Sequence, residues 1–86
     1  MTEAQKRELG KLIKEAKGSR TLDRFAEETG ISKFQISRII NGRYEYCPHM
    51  STIAKIAKFS ELNNFVERFK KIATEEIFEA NTNGVH

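Results

Sequence analysis

Hydrophobic residues recur along this chain at intervals of three and four positions, the spacing that places them on one side of an α-helix. Five segments show this pattern, at residues of about 3–17, 22–29, 33–41, 49–59 and 64–80. No convincing alternation of apolar and polar residues predicts a β-strand. The sequence therefore predicts an all-α fold, a single helical domain over residues 1–80, followed by a disordered polar tail at 81–86.

The ends of the predicted helices carry residues suited to helix termini. Thr2, Thr21 and Ser32 are predicted N-caps, because a hydroxyl can accept a hydrogen bond from the first turn of a helix. Gly30 stands where a helix commonly closes with a left-handed residue. The connection Thr29-Gly30-Ile31-Ser32 thus predicts a sharp bend between two short helices, which is a helix-turn-helix.

The apolar stripes define a predicted core. Its members are Leu9, Leu12, Ile13, Ala16, Leu22, Phe25, Ala26, Thr29, Ile31, Ile36, Ile39, Met50, Ile53, Ala54, Ile56, Ala57, Phe65, Val66, Phe69, Ile72, Ala73 and Ile77. Gly10 is expected to weaken the first helix, since glycine is a poor helix former. The fifth stripe is larger than a four-helix core needs. It therefore either covers this domain's own core or forms a dimer interface that includes Phe65, Phe69, Ile72, Ile77 and Phe78.

Composition narrows the possible functions. The 86 residues suffice for one domain, the net charge is +3, and no stretch of the sequence is apolar enough for a membrane span. The lone Cys47 suits a reducing compartment such as the cytoplasm. His49 and His86 are the two histidines, and with Cys47 they assemble neither a catalytic triad nor a set of metal ligands. An enzyme is therefore not expected, and neither is a cofactor.

The third predicted helix has a face suited to DNA. At about 100° per residue, Ile36 and Ile39 point to one side, and the opposite side is formed by Lys33, Phe34, Ser37, Arg38 and Asn41. This outward face carries basic side chains, small polar groups and an aromatic ring, and no acidic side chain. Arginine can donate to guanine O6 and N7, lysine can reach guanine or phosphate, and a ring can pack on thymine methyl groups. The pattern favours double-stranded DNA as the partner.

A family resemblance rests on this region. Residues 21–42, TLDRFAEETGISKFQISRIING, resemble the helix-turn-helix of the Cro/phage-repressor (Xre) family, with Ala26, Gly30, Ile36 and Ile39 at the family's spacings. Residues 48–57, PHMSTIAKIA, resemble the family's fourth helix. The resemblance runs from about residue 9 to residue 69. It implies a five-helix lambda-repressor-like DNA-binding domain and a prokaryotic or phage transcriptional regulator.

By this resemblance, specific side chains are expected to contact DNA. The expected base contacts are Lys33, Phe34, Ser37 and Arg38. The expected backbone contacts are Arg20, Thr21, Arg24, Ser32, Gln35, Asn41, Arg43, Tyr44 and Tyr46. Leu22 departs from the family pattern, because a polar phosphate-binding residue is common there, and that contact is expected to pass to Arg20 or Arg24. Ile40 also stands where a polar residue is usual, and either packs under the 43–47 loop or belongs to a partner surface.

These inferences leave two functions open. The first is a repressor that occupies a pseudo-palindromic operator, with a homodimer formed through the fifth helix. The alternative is an antitoxin or another protein-interaction module that retains the fold. Phe34 has an alternative role as well, since it could pack against the Tyr44–Tyr46 loop instead of projecting toward a base. Tyr44 and Tyr46 could also belong to the core or contact a protein partner.

Overall fold

Helices follow one another along the chain in a computed structural model that describes residues 1–74. They are α1 (Glu3–Lys17), α2 (Leu22–Thr29), α3 (Lys33–Ile40) and α4 (Met50–Lys58), and α5 covers 65–74. The described part of the chain contains no strand. The predicted all-α class with five helices is confirmed. The predicted continuation of the last helix to residue 80, with Ile77 and Phe78, and the tail at 81–86 lie outside the described residues.

Four predicted helix ends shift by one residue, because the residues concerned form caps. Asn41 is the C-cap of α3, with φ −90° and ψ 2°. His49 is extended and caps α4, its ring Nδ1 accepting a hydrogen bond from the backbone N–H of Ser51 at 3.2 Å. Phe59 is the C-cap of α4. Asn64 lies just before α5, where its carbonyl oxygen accepts a hydrogen bond from a backbone N–H of the first turn.

One continuous core joins the five helices. Its buried side chains are Leu9, Leu12, Ile13, Ala16, Phe25, Ile31, Ile36, Ile39, Ile53, Ile56, Phe65, Phe69 and Ile72. All of them were predicted from the apolar stripes. In α5, Phe65, Phe69 and Ile72 are buried against this domain's own core, so the first of the two alternatives for the fifth stripe holds for its described part.

Three predicted core positions are wrong. Met50 is 63% exposed and Val66 is 49% exposed, and Ala54 is exposed as well. Met50 begins α4 ahead of the first buried positions of that helix. At about 100° per residue, Ala54 lies roughly 150° from the centre of the buried face of α4, and Val66 lies roughly 90° from the centre of the buried face of α5. The predicted stripes were thus wider than the faces that are buried.

Gly10 allows α1 and α3 to lie close together. It is buried within α1, and the carbonyl group of Ile40 packs against it. A Cβ atom at this position would lie 3.1 Å from the carbonyl carbon of Ile40 and still closer to the oxygen. Any residue with a Cβ atom would prevent this close crossing of α1 and α3. The packing that glycine allows therefore offsets its weak helix propensity. Ile40 itself is half-buried against the core, so its departure from the family pattern has a packing role.

Arg20 connects three parts of the fold. Its guanidinium group donates to two backbone carbonyls near the end of α1, at 2.7 and 2.9 Å. It also pairs with Glu28 of α2 at 3.3 Å and with Glu61, before α5, at 3.9 Å. Its guanidinium carbon stands 4.7 Å from the centre of the Phe25 ring. These contacts cover most of the side chain, which is only 17% exposed.

Tyr44 turns inward from the loop after α3. It packs against the core, and its hydroxyl donates to the sulfur of Met1 at 3.6 Å. The ammonium group of Lys6 lies 5.3 Å from the centre of its ring. Burial, together with the nearby Cys47 and Glu3, raises the pKa of Tyr44 from 10.0 to about 12. The loop is thus fastened to the start of α1.

The raised pKa of Tyr44 predicts a loss of stability in alkali. The unfolded chain releases the phenolic proton near pH 10 and the folded chain only near pH 12. The stabilisation is therefore complete below pH 10 and disappears as the pH rises toward 12. Urea unfolding across this range should show a steeper loss of free energy for the wild type than for Tyr44→Phe. The exposed Tyr46 supplies the control, since Tyr46→Phe should follow the wild type, and equal slopes for all three proteins would contradict the assignment.

Candidate nucleic-acid interface

The outward face of α3 carries the four side chains predicted to contact bases. Ile36 and Ile39 bury the opposite face, with exposures of 0% and 3%. Lys33 and Arg38 are exposed and Ser37 is half-buried. Phe34 is 70% exposed. The structure therefore brings the four predicted side chains to one side of a single helix.

Lys33 has an acidic neighbour that the sequence analysis did not identify. Its ammonium group lies 3.2 Å from the carboxylate of Asp23 in the first turn of α2, and 5.6 Å from the centre of the Phe34 ring. The two charged side chains are 49% and 77% exposed. An ion pair this exposed contributes at most about 1 kcal/mol. The pair orients Lys33 beside Phe34.

Phe34 lies beside the start of α2, and not against the Tyr44–Tyr46 loop. A shallow groove of about 320 Å³ separates the two helices; its lining residues are Thr21, Leu22, Asp23, Lys33, Phe34 and Ser37. Leu22 is half-buried there and packs partly on the core. The departure from the family pattern at Leu22 thus gives this groove an apolar wall next to an exposed ring.

Arg38 borders a second groove, which lies along the opposite edge of the outward face of α3 from the groove beside Phe34. This groove has a volume of about 160 Å³ and is lined by Gln35, Arg38, Ile39, Tyr44, Tyr46 and Pro48. Tyr46 is 82% exposed at its rim. The sequence did not distinguish the two tyrosines, but they differ in placement: Tyr46 remains on the surface near Arg38, whereas Tyr44 packs into the fold.

The caps of the two helices use the predicted hydroxyl groups. Thr21 Oγ1 accepts a hydrogen bond from the backbone N–H of Arg24 at 3.1 Å, and Ser32 Oγ accepts one from that of Phe34 at 3.2 Å. Arg24 is 66% exposed and pairs loosely with Glu28 at 3.8 Å. Arg20 and Arg24 were the two arginines expected to supply the phosphate contact that Leu22 lacks. Arg24 is the more exposed of the two, because the Arg20 side chain is held by contacts within the fold.

The end of α3 leads into a short basic segment. The Nδ2 group of Asn41 donates to the Ser37 carbonyl oxygen at 2.9 Å. The backbone N–H of Arg43 donates to the Arg38 carbonyl oxygen at 2.8 Å. These bonds hold the segment against the helix while the Arg43 side chain stays exposed. Within residues 1–74, no carboxylate lies within 4.0 Å of the Arg38 or Arg43 guanidinium groups.

A basic surface on α1, which was not predicted from the sequence, lies beside the end of α3. A groove of about 450 Å³ lies between α1 and the end of α3; its lining residues are Glu3, Lys6, Arg7, Gly10, Lys11, Lys14, Ile40, Asn41 and Gly42. The positions of the four basic residues along α1 could have indicated a basic helix surface. Their position beside α3 follows only from the packing of the two helices.

Other kinds of site find no support among residues 1–74. No group of three or more possible metal ligands occurs in this part of the chain. No helix of the described chain has the length and apolar character needed to cross a membrane. The grooves described above are shallow, and the one between α1 and the end of α3 is lined mainly by basic and polar groups.

Comparison with known proteins agrees with this geometry. A search of curated proteins and a search of solved structures gave no match. A family model described as helix-turn-helix, HTH_3, matches residues 6–59, which extend from α1 to the end of α4 and include the whole α2–α3 pair. The match covers more than half of the sequence, and the chain belongs to this Cro-type helix-turn-helix family of DNA-binding regulators.

Proposed function

We propose that this protein binds double-stranded DNA in a sequence-specific manner and acts as a transcriptional repressor of prokaryotic or phage origin. The main support for this proposal is the outward face of α3. Phe34, Lys33 and Arg38 are exposed together there, and the other face of the helix is buried. A single helix of this kind fits the major groove of B-DNA, which is about 12 Å wide.

The proposal gives each exposed group a chemical role. The Arg38 guanidinium group is a planar fork that matches guanine O6 and N7, while Lys33 donates to a guanine or a phosphate. The Phe34 ring packs on thymine methyl groups beside Leu22. Ser37, at the centre of the face, takes a polar base edge. These groups supply the base preference, whereas the backbone contacts set position and affinity.

The expected backbone contacts fall into two sets on either side of α3. At the start of α2 are the first-turn amides behind Thr21, together with Arg24, where a helix N-terminus attracts a phosphate. Beyond α3 are Asn41, Arg43 and Tyr46. Ser32 and Gln35 flank the recognition face. Arg20 and Tyr44 act indirectly, because their side chains hold the fold that presents the others.

A homodimer on a pseudo-palindromic operator is part of the proposal. Two recognition helices must then lie about 34 Å apart, one turn of DNA. Phe65, Phe69 and Ile72 are buried in the core and are not available to a partner. A dimer contact in the described part of the chain would have to use exposed apolar groups such as Val66 or Met50. Light scattering with and without a palindromic duplex measures the number of protein subunits in solution and on DNA.

A salt titration tests DNA binding itself. Affinity for a mixed-sequence duplex should fall steeply as salt rises, because each neutralised phosphate releases counterions. Arg43→Ala should weaken binding to all sequences alike and lower the slope of log K against log salt by about one. Lys58→Ala, on α4, is the control and should leave the slope unchanged. Affinity for duplex DNA that does not respond to salt would contradict the proposed function and favour a protein partner.

A further inference from the structure

A row of cations on α1 lies next to the recognition helix without belonging to the helix-turn-helix. Lys6, Arg7, Lys11 and Lys14 line the groove between α1 and the end of α3, and Glu3 is the one acid among the lining residues. Arg7, Lys11 and Lys14 follow one another at four- and three-residue spacing, so these three occupy one side of the helix. The groove therefore carries an excess of three positive charges, from four bases and one acid.

Three of these cations are available to a ligand. Lys6 is only 14% exposed and is held between Glu3 and the Tyr44 ring, so it serves the fold. Lys11 pairs with Glu8 at 3.7 Å, but both side chains are more than half exposed and the pair is weak. The other two, Arg7 and Lys14, are exposed, and among residues 1–74 no carboxylate lies within 4.0 Å of either charge.

The surface is continuous with the proposed DNA-binding face. Asn41 belongs both to the outward side of α3 and to the wall of the groove, and Gly42 lies beside it. Arg43 follows directly in the chain. A duplex seated on α3 would therefore meet α1 next, across a groove in which Glu3 is the one acidic lining residue.

The dimensions fit a phosphate backbone. From Arg7 to Lys14 the helix rises by about 10 Å, at 1.5 Å per residue. The phosphates of one DNA strand rise along the axis by about 3.4 Å each, so a row of this length can face more than one phosphate. The row contains no exposed large apolar side chain, whereas a protein partner usually needs a buried apolar or aromatic anchor.

We propose that Arg7, Lys11 and Lys14, here called the α1 ridge, bind phosphates of the DNA segment that flanks the bases contacted by α3. This inference rests on the proposed function, and it adds a contact surface outside the helix-turn-helix. The ridge contributes affinity and salt dependence but no base preference, because phosphates are alike in every sequence.

The test compares two variants that remove the same charge. Arg7→Gln/Lys11→Gln/Lys14→Gln removes the ridge. Lys55→Gln/Lys70→Gln/Lys71→Gln removes three exposed lysines of α4 and α5 that do not line the groove. Binding to a mixed-sequence duplex is measured by fluorescence anisotropy over a range of salt concentrations. The ridge variant should lower the slope of log K against log salt by two to three, at about 0.9 per phosphate, and the control should keep the wild-type slope.

Every outcome decides the inference. If the ridge variant and the control lower the slope equally, net charge explains the effect and the ridge is not a contact. If neither changes the slope while Arg43→Ala lowers it, the proposed function stands and the ridge is excluded. If the wild type shows no salt-dependent duplex binding, both proposals fail. Circular dichroism checks folding, and Lys11→Gln/Lys14→Gln, with an expected loss of about two in slope, replaces the triple variant if that variant melts early.

Discussion

Replacing Arg38 with alanine should weaken binding to the preferred DNA sequence by about 1–3 kcal/mol, or roughly 5- to 150-fold. The side chain projects from the outward face of α3, and among residues 1–74 no carboxylate holds its guanidinium group. Its donors are therefore available for guanine O6 and N7. Loss of this fork should abolish the preference at one base pair and leave the preferences at the other positions in place.

Arg38→Lys separates base recognition from simple charge. Lysine keeps the positive charge but loses the planar fork, so affinity for mixed-sequence DNA should stay close to that of the wild type while the preference at the same base pair falls. Anisotropy titrations with the preferred duplex and with a duplex altered at that base pair measure both quantities. Arg38 would be a phosphate contact if alanine reduced affinity for both duplexes by the same factor.

Gly10→Ala should destabilise the fold by about 1–3 kcal/mol, although alanine is the better helix former by about 1 kcal/mol. The added methyl group would collide with the carbonyl group of Ile40, which is backbone and cannot rotate away. Relief requires α1 and α3 to separate, and that would open the core around Leu9 and Ile36. For a domain of this size, each 1 kcal/mol corresponds to a fall in Tm of about 4–8 °C.

Thermal melting of Gly10→Ala and Lys14→Ala provides the comparison. Lys14 is exposed in the same helix, so its replacement by alanine should change stability by less than about 0.5 kcal/mol. A Gly10→Ala protein that melts at or above the wild-type temperature would show that the two helices do not approach as closely as described. Because Ile40 ends α3, the same variant should also lower DNA affinity through displacement of the recognition helix.

The features that sequence predicted well are those that depend on one helix at a time. Ile36 and Ile39 fix which side of α3 is buried, and this alone determines which side Phe34 and Arg38 face. The left-handed Gly30, with φ +74°, ends α2 as the pattern Thr29-Gly30-Ile31-Ser32 predicted. These are local consequences of helical periodicity and turn chemistry.

The features that sequence did not predict depend on how helices pack against one another. Gly10 looked like a weak point in α1, and its value becomes visible only when Ile40 is placed against it. Arg20 was predicted to contact phosphate, and nothing in the sequence indicated its ion pairs with Glu28 and Glu61. No local pattern distinguishes an arginine that binds DNA from one that holds three segments together.

The two tyrosines of the 43–47 loop show the same limit. They are two residues apart and chemically identical, yet Tyr44 packs on the start of α1 while Tyr46 is 82% exposed. The distinction arises from contacts with Met1 and Lys6, which are distant in the sequence. Periodicity carries no information about such contacts, because the loop has no regular repeat.

Selection of bound duplexes from a random DNA pool tests the central claim most directly, which is that the outward face of α3 recognises bases. We expect the wild type to enrich a defined motif containing a guanine, and the pool selected by Arg38→Ala to lose the preference at that guanine alone. Paired half-sites about one DNA turn apart would indicate the dimer. Enrichment of no motif, or the same motif for both proteins, would contradict base recognition by Arg38 on α3.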